Sequence, residues 1–217
     1  MARSVGRSPP IATGSDNIQV PRVGNRHSDL HGWSCDGDAC HVAGLTLLIG
    51  GARSGKSDLA VQVGRRHDGP VTFIATAQRF DDDMGQRIER HRAERPGWPT
   101  IEAPIDLRRA VIDVAADHLV IIDCLTLWVS NMMLEEWTEH AIDDYASATA
   151  AVAAARRGPT VVVTNEVGLG IHPANELGRQ YRDLLGRVNR TWAEVAHKTL
   201  FLVAGRAVPL HDPWELL

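Results

Sequence analysis

Three clusters of residues carry types and spacings that could do chemistry. Gly50-Gly51-Ala52-Arg53-Ser54-Gly55-Lys56-Ser57 fits the pattern G-x-x-x-x-G-K-[ST]. Glycines at these positions let backbone N–H groups wrap a phosphate chain, and a helix beginning at Lys56 would add the positive end of its dipole. Lys56 would neutralise the β and γ phosphates, and the Ser57 hydroxyl would ligate Mg²⁺. Asp123 closes the apolar run Leu119-Val120-Ile121-Ile122, an arrangement that presents a carboxylate to the metal shell of a bound nucleotide. Thr164-Asn165-Glu166 closes another apolar run. It reads equally as ordinary loop polarity or as a contact to Mg²⁺ or to an acceptor hydroxyl, with Glu166 as a general base.

A fourth candidate is His91. Met84, Ile88 and His91 recur at i, i+4 and i+7, so the histidine extends an apolar helical stripe. Arg87 and Arg95 lie four residues to either side, one turn away on the same face. Cations around an imidazole favour its neutral, nucleophilic form and also attract phosphate. A histidine at the edge of such a stripe serves equally as a boundary residue, and the pattern alone leaves both readings open.

The elements that must position these groups follow from periodicity. Leu45–Ile49, Val71–Ala75, Leu119–Asp123, Thr160–Thr164 and Thr199–Val203 are short apolar runs rich in β-branched residues, each bounded by polar or glycine positions. Between them, helical patterns cover Lys56–Arg66, Asp81–Glu94, Asp106–Ala116, a stretch from Leu125, Ile142–Arg157 and Glu176–His197. Alternating strands and helices predict an α/β fold of the P-loop NTPase type: a mostly parallel sheet with helices on both faces. Ligands in such sheets bind at the carboxyl ends of the strands. Gly50, Asp123 and Thr164 all fall there.

The chain divides in two. Residues 1–44 are rich in Ser, Gly, Pro, Asp and Arg with scattered apolar residues, and read as a flexible extension with a small hairpin as the alternative. Residues 45–217 carry the patterned domain. A formal net charge of -4 gives no whole-chain reason to expect nucleic acid. Cys35, Cys40 and Cys124 are too few for a disulfide framework. Cys35, Cys40 and His41 lack the second ligand pair that a zinc site needs, and Cys124 reads as a small core residue. No stretch approaches the ~20 apolar residues of a membrane span, and a cytoplasmic enzyme is expected.

Taken in order, Gly50–Ser57, Ile74-Ala-Thr-Ala-Gln78, Asp82-Asp-x-x-x-x-Arg-Ile-x-x-His91-x-x-x-Arg95 with Trp98, Thr100-x-Glu102-x-Pro104 and Thr164-Asn-Glu-Val-Gly-x-Gly170 resemble a known family. It is the bifunctional adenosylcobinamide kinase / adenosylcobinamide-phosphate guanylyltransferase family of cobalamin biosynthesis, and the resemblance runs from about Leu45 to Leu210. It implies a RecA-like fold, a homotrimer, and two reactions using GTP or ATP with Mg²⁺. The first phosphorylates the hydroxyl of adenosylcobinamide. The second passes GMP from GTP through a histidine, which falls on His91, to give adenosylcobinamide-GDP. The implied nucleotide contacts are Gly50 to Ser57, the Ala75-Thr76-Ala77 turn, Arg92, Ala93, Glu94 and Arg95, Glu102 and Asp123. A monofunctional P-loop small-molecule kinase and a nucleotide-gated ATPase or binding module remain the alternatives, and neither needs His91.

Overall fold

The structure, a computed structural model, describes residues 33–36, 39–42, 44–78 and 97–217. All of them belong to the compact unit His31–Leu217. The expected helix Asp81–Glu94, which carries Arg87, His91 and Arg92, lies outside the described residues, as do Arg95 and the first 32 residues of the extension.

Strands β1 (Trp33–Asp36) and β2 (Ala39–Val42) pair antiparallel, so a hairpin lies within the stretch read as an extension. Among the described residues the main sheet has seven strands. In chain order they are β3 (Leu45–Gly50), β4 (Val71–Ala75), β5 (Thr100–Glu102), β6 (Leu119–Asp123), β7 (Thr160–Asn165), β8 (Lys198–Val203) and β9 (Arg206–Leu210). Across the sheet the order is β5-β4-β6-β7-β3-β8-β9. Every pair is parallel except β8 with β9. Strand β7 therefore lies between the strand that ends at Gly50 and the strand that ends at Asp123.

The central strands are buried on both faces, which explains their unbroken apolar runs. On one face Leu47, Ile74, Val120, Ile122 and Val162 pack against α2 (Leu107–Asp113), α3 (Leu125–Leu134), α4 (Glu139–Ala154) and α5 (Glu176–Val195). The α4 residues Ala146, Ala150 and Ala153 are small and fully sheltered, which lets α5 approach closely. On the other face Leu48, Phe73, Ile121, Val161 and Val163 pack against α1 (Lys56–Arg65) through Ala60 and Val63, with Trp98 beside them. Gly64 makes room for that indole: a Cβ there would stand 2.4 Å from Trp98 Cη2.

Helix ends follow local chemistry. Asp106, Thr138 and Asn175 each accept a backbone N–H three residues on, at 3.3, 3.2 and 2.7 Å, and so start α2, α4 and α5. Strands β5 and β9 are absent from the sequence reading. Both are edge strands, and the three residues of β5 are too short for a periodicity signal.

Candidate active site

The alternation of side chains along a strand decides which residues share a face. Val71, Phe73 and Ala75 face α1, as do Leu119 and Ile121 and also Val161 and Val163. Asp123 continues the β6 row and Asn165 continues the β7 row. On β5 the neighbour Ile101 packs on the opposite core, which turns Glu102 towards the α1 side. The registers bring these ends level: Ala75 with Glu102, Ala75 with Asp123, Asp123 with Val163, and Asn165 with Gly50. Gly50, Ala75, Glu102, Asp123 and Asn165 therefore stand along one rim of the sheet, on the side where α1 begins.

The cradle runs from Gly50 into α1 and has the strand-loop-helix context its function needs. A Cβ at Gly50 would meet the Leu202 carbonyl oxygen at 2.3 Å, so only glycine lets β3 pass β8 into the loop. Gly55 adopts φ 96°, in the left-handed region, and turns the chain into α1. Gly51, Ala52 and Arg53 are exposed at the crest of the loop, Ser57 is half-buried, and Ser54 is buried. Lys56 Nζ donates to the Gly51 carbonyl oxygen at 2.6 Å and to Ser54 Oγ at 3.2 Å. Burial lowers the Lys56 ammonium below its ordinary value, while the nearby Cys124 and Asp123 act in the opposite direction.

The Ala75-Thr76-Ala77 turn is bound directly to Asp123. Thr76 N donates to the Asp123 carbonyl oxygen at 3.2 Å. The Thr76 hydroxyl donates to the Cys124 carbonyl oxygen at 2.7 Å and accepts from Cys124 N at 2.8 Å. Thr76 is fully buried, and its side chain holds the backbone of Cys124, the residue after Asp123, in place. Asn131 Nδ2, on α3, donates to the carbonyl oxygens of Thr76 and Pro104 at 2.8 and 2.9 Å. It ties the β4 end to the segment after Glu102. The Cys124 thiol is buried and pushed up to about 12 by burial, with Asp123 adding to the shift. It stays a protonated packing group.

The end of β7 is held by three other elements. Glu166 N donates to the Gly50 carbonyl oxygen at 3.0 Å. Thr126 Oγ1 accepts from Asn165 N at 2.8 Å, and Asn189 Nδ2 donates to the Asn165 carbonyl oxygen at 3.0 Å. Thr164 Oγ1 donates to Asn189 Oδ1 at 2.7 Å. The Glu166 carboxylate accepts from Gly168 N. Asn165 and Glu166 are ambiguous in the sequence, and Thr126, Asn131 and Asn189 carry no motif there. A signal for Asn189 was present: it is a polar residue within the α5 stripe Leu185, Val188 and Trp192, where a buried amide must find partners.

A nucleotide with its Mg²⁺ suits this rim. The ion commonly takes one or two protein oxygens plus phosphate and water, which Ser57 and Asp123 can supply. Among the described residues there is no cluster of three or more His, Cys, Asp or Glu that could hold a metal without the nucleotide. No helix of the described residues is long and apolar enough to cross a membrane.

Comparison with known proteins places the chain among relatives. A family model described as cobinamide kinase / cobinamide phosphate guanyltransferase matches residues 46–210. A bifunctional adenosylcobalamin biosynthesis protein, CobP, of Pseudomonas aeruginosa is 40% identical, covering 76% of this chain and 95% of its own. The bifunctional adenosylcobalamin biosynthesis protein CobU of Salmonella typhimurium is 39% identical, covering 76% of this chain and 99% of its own. Among solved structures, an ATPase from the type III secretion system of pathogenic bacteria superposes with a TM-score of 0.50 at 11% identity, over 77% of this chain and 54% of its own. That likeness supports the P-loop NTPase fold alone.

Proposed function

Because the chain belongs to the cobinamide kinase / cobinamide phosphate guanyltransferase family, we propose that one cradle serves two successive transfers to adenosylcobinamide. In the first, the γ-phosphoryl group of GTP or ATP passes to the acceptor hydroxyl. In the second, GTP gives GMP to His91, pyrophosphate leaves, and the phosphorylated acceptor takes the GMP to form adenosylcobinamide-GDP. The observation that carries this reading is the common rim of Gly50, Asp123 and Asn165 beside Lys56, inside a family match that spans residues 46–210.

Lys56 offsets charge on the β and γ phosphates, the backbone of Gly50 to Gly55 binds their oxygens, and Ser57 and Asp123 hold Mg²⁺. The ion, when bound, adds positive charge where negative charge develops. His91 is the nucleophile, with Arg92 and Arg95 beside it in the sequence; its role rests on the resemblance and on the helical spacing of its motif. The Ala75–Ala77 turn and Glu102 line the nucleotide beyond the phosphates. The protein works in the cytoplasm as a homotrimer, without nucleic acid.

Two labels test the reading. Wild-type protein incubated with adenosylcobinamide and γ-labelled GTP should form labelled cobinamide phosphate. With α-labelled GTP alone, the denatured protein should retain label that acid removes and base does not. Product without retained label would favour a monofunctional kinase, and release of phosphate without either would favour a nucleotide-gated ATPase.

A further inference from the structure

Two of the three cysteines stand opposite each other. In the hairpin of β1 and β2, Cys35 is in register with Cys40, Ser34 with His41 and Asp36 with Ala39. The last pair leaves Gly37 and Asp38 as the loop. Gly-Asp suits a two-residue turn, because glycine at the first central position accepts the backbone that such a turn requires. In a two-residue hairpin the closing pair exchanges hydrogen bonds. The next pair out is then of the non-hydrogen-bonded kind, with Cα atoms about 4.5 Å apart. A disulfide spans Cα separations of about 4.4–6.8 Å, so the spacing fits. Alternation places Cys35 and Cys40 on one face of the hairpin, with Trp33 and Val42. A slip of one residue would set Cys35 opposite Ala39 or His41 instead, so the pairing depends on this register.

We propose that Cys35 and Cys40 form a reversible thiol pair, a modification site that closes to an internal disulfide by exchange with a low-molecular-weight disulfide such as oxidised glutathione. Cys124 takes no part. It is buried among the residues facing α1, and burial pushes its thiol up to about 12. The pair precedes β3, and the family match begins at residue 46, so the assignment is independent of the two transfers. A two-stranded hairpin is marginal by itself. A covalent link across its middle therefore shifts the segment between an open and a closed form.

The exchange balances in two steps. The thiolate of one cysteine attacks a sulfur of glutathione disulfide; a new S–S bond forms, and the first glutathione leaves with the electron pair of the old one. The second cysteine thiolate then attacks the protein sulfur of that mixed disulfide and displaces the other glutathione. The two cysteine sulfurs are oxidised by two electrons in all, and one glutathione disulfide becomes two thiols, which carry the two protons. Excess glutathione runs the steps backwards, so in a reducing compartment the bond is transient.

The experiment equilibrates the full chain in glutathione buffers of graded oxidation, then quenches in acid, denatures, alkylates and digests with trypsin. The peptide from His27 to Arg53 carries both cysteines and excludes Cys124. Under oxidising ratios it should appear without alkyl groups and two hydrogens lighter, and dithiothreitol should restore two alkylated thiols. The equilibrium constant for ring closure should be at least about tenfold larger in buffer than in strong urea, because the register raises the effective concentration of one thiol at the other. Cys35→Ser and Cys40→Ser should each carry a single glutathione on the remaining cysteine of that peptide. Glutathione on both cysteines without an internal bond, a bond to Cys124 or to a second chain, or equal constants in buffer and urea would overturn the assignment.

Discussion

Lys56 Nζ lies 2.6 Å from the carbonyl oxygen of Gly51, so the cation of the cradle is bonded to the loop that it must leave when a triphosphate enters. Its second partner, Ser54 Oγ at 3.2 Å, belongs to the same loop. Lys56 is 5% exposed. Binding therefore exchanges two neutral acceptors for phosphate oxygens, a stronger charge-assisted set.

Replacing this lysine tests the cradle. Lys56→Ala should abolish phosphorylation of adenosylcobinamide, with kcat down by at least about a thousandfold, because the charge that offsets the γ-phosphate is removed. Circular dichroism should show a folded protein, since α1 keeps Ala60 and Val63 in the core. Near-normal turnover would remove the assignment.

Nucleotide affinity should also depend on pH, with a sign fixed by burial. Burial holds Lys56 below its ordinary 10.5, against the opposing influence of Cys124 and Asp123. Bound phosphate favours the charged ammonium, so the complex titrates higher than the free protein. A proton is then taken up on binding between the two values, and affinity falls as pH rises through the lower one, by up to about tenfold per pH unit. Titration calorimetry in buffers of different ionisation enthalpy measures the uptake directly. Proton release on binding in the alkaline range would contradict the placement of Lys56.

His91→Asn separates the two transfers. The variant should lose retention of α-labelled GMP and formation of adenosylcobinamide-GDP. Cobinamide phosphate should still form, because in the proposed mechanism γ-phosphoryl transfer depends on Lys56, Ser57 and Mg²⁺ rather than on the imidazole. Retained label in the variant would direct attention to another acceptor, and loss of both activities in a folded protein would end the separation of roles.

Packing next to the site offers a stability test. Gly64→Ala places a methyl group 2.4 Å from Trp98 Cη2 and 3.0 Å from Ile121 Cδ1, both on the face shared by α1 and the rim. The indole must move, at a cost of about 1–3 kcal/mol. Urea unfolding should show a lower midpoint at an unchanged slope. A midpoint equal to wild type would mean that Trp98 is loosely seated.

The amino-terminal extension should be dispensable. The sheet starts at Leu45 and the family match at residue 46. Removing residues 1–43 should leave both transfers within about twofold and the melting temperature within about 2 °C, since the segment lacks a core-forming pattern. A larger loss would give the β1–β2 hairpin a part in folding.

The sequence by itself determined the cradle, the alternation of strands and helices, and the carboxylate at Asp123. Each is a local signal: glycine spacing dictates the loop, and periodicity dictates the element. Boundaries drifted where a cap was decisive. Helix α4 starts at Glu139, three residues before the expected Ile142, because Thr138 caps it; α5 stops at Val195, two residues short of His197. What only the tertiary structure decided is strand order. Nothing local to Thr164-Asn165-Glu166 says that β7 enters the sheet between Gly50 and Asp123. The insertion depends on crossovers that pair residues more than a hundred positions apart, Gly50 with Asn165 among them. The same order left the end of β7 without a neighbour on one side, and buried backbone groups must be satisfied there. Thr126 and Asn189 meet that need, and their hydrogen bonds turn an ambiguous polar triplet into a positioned one.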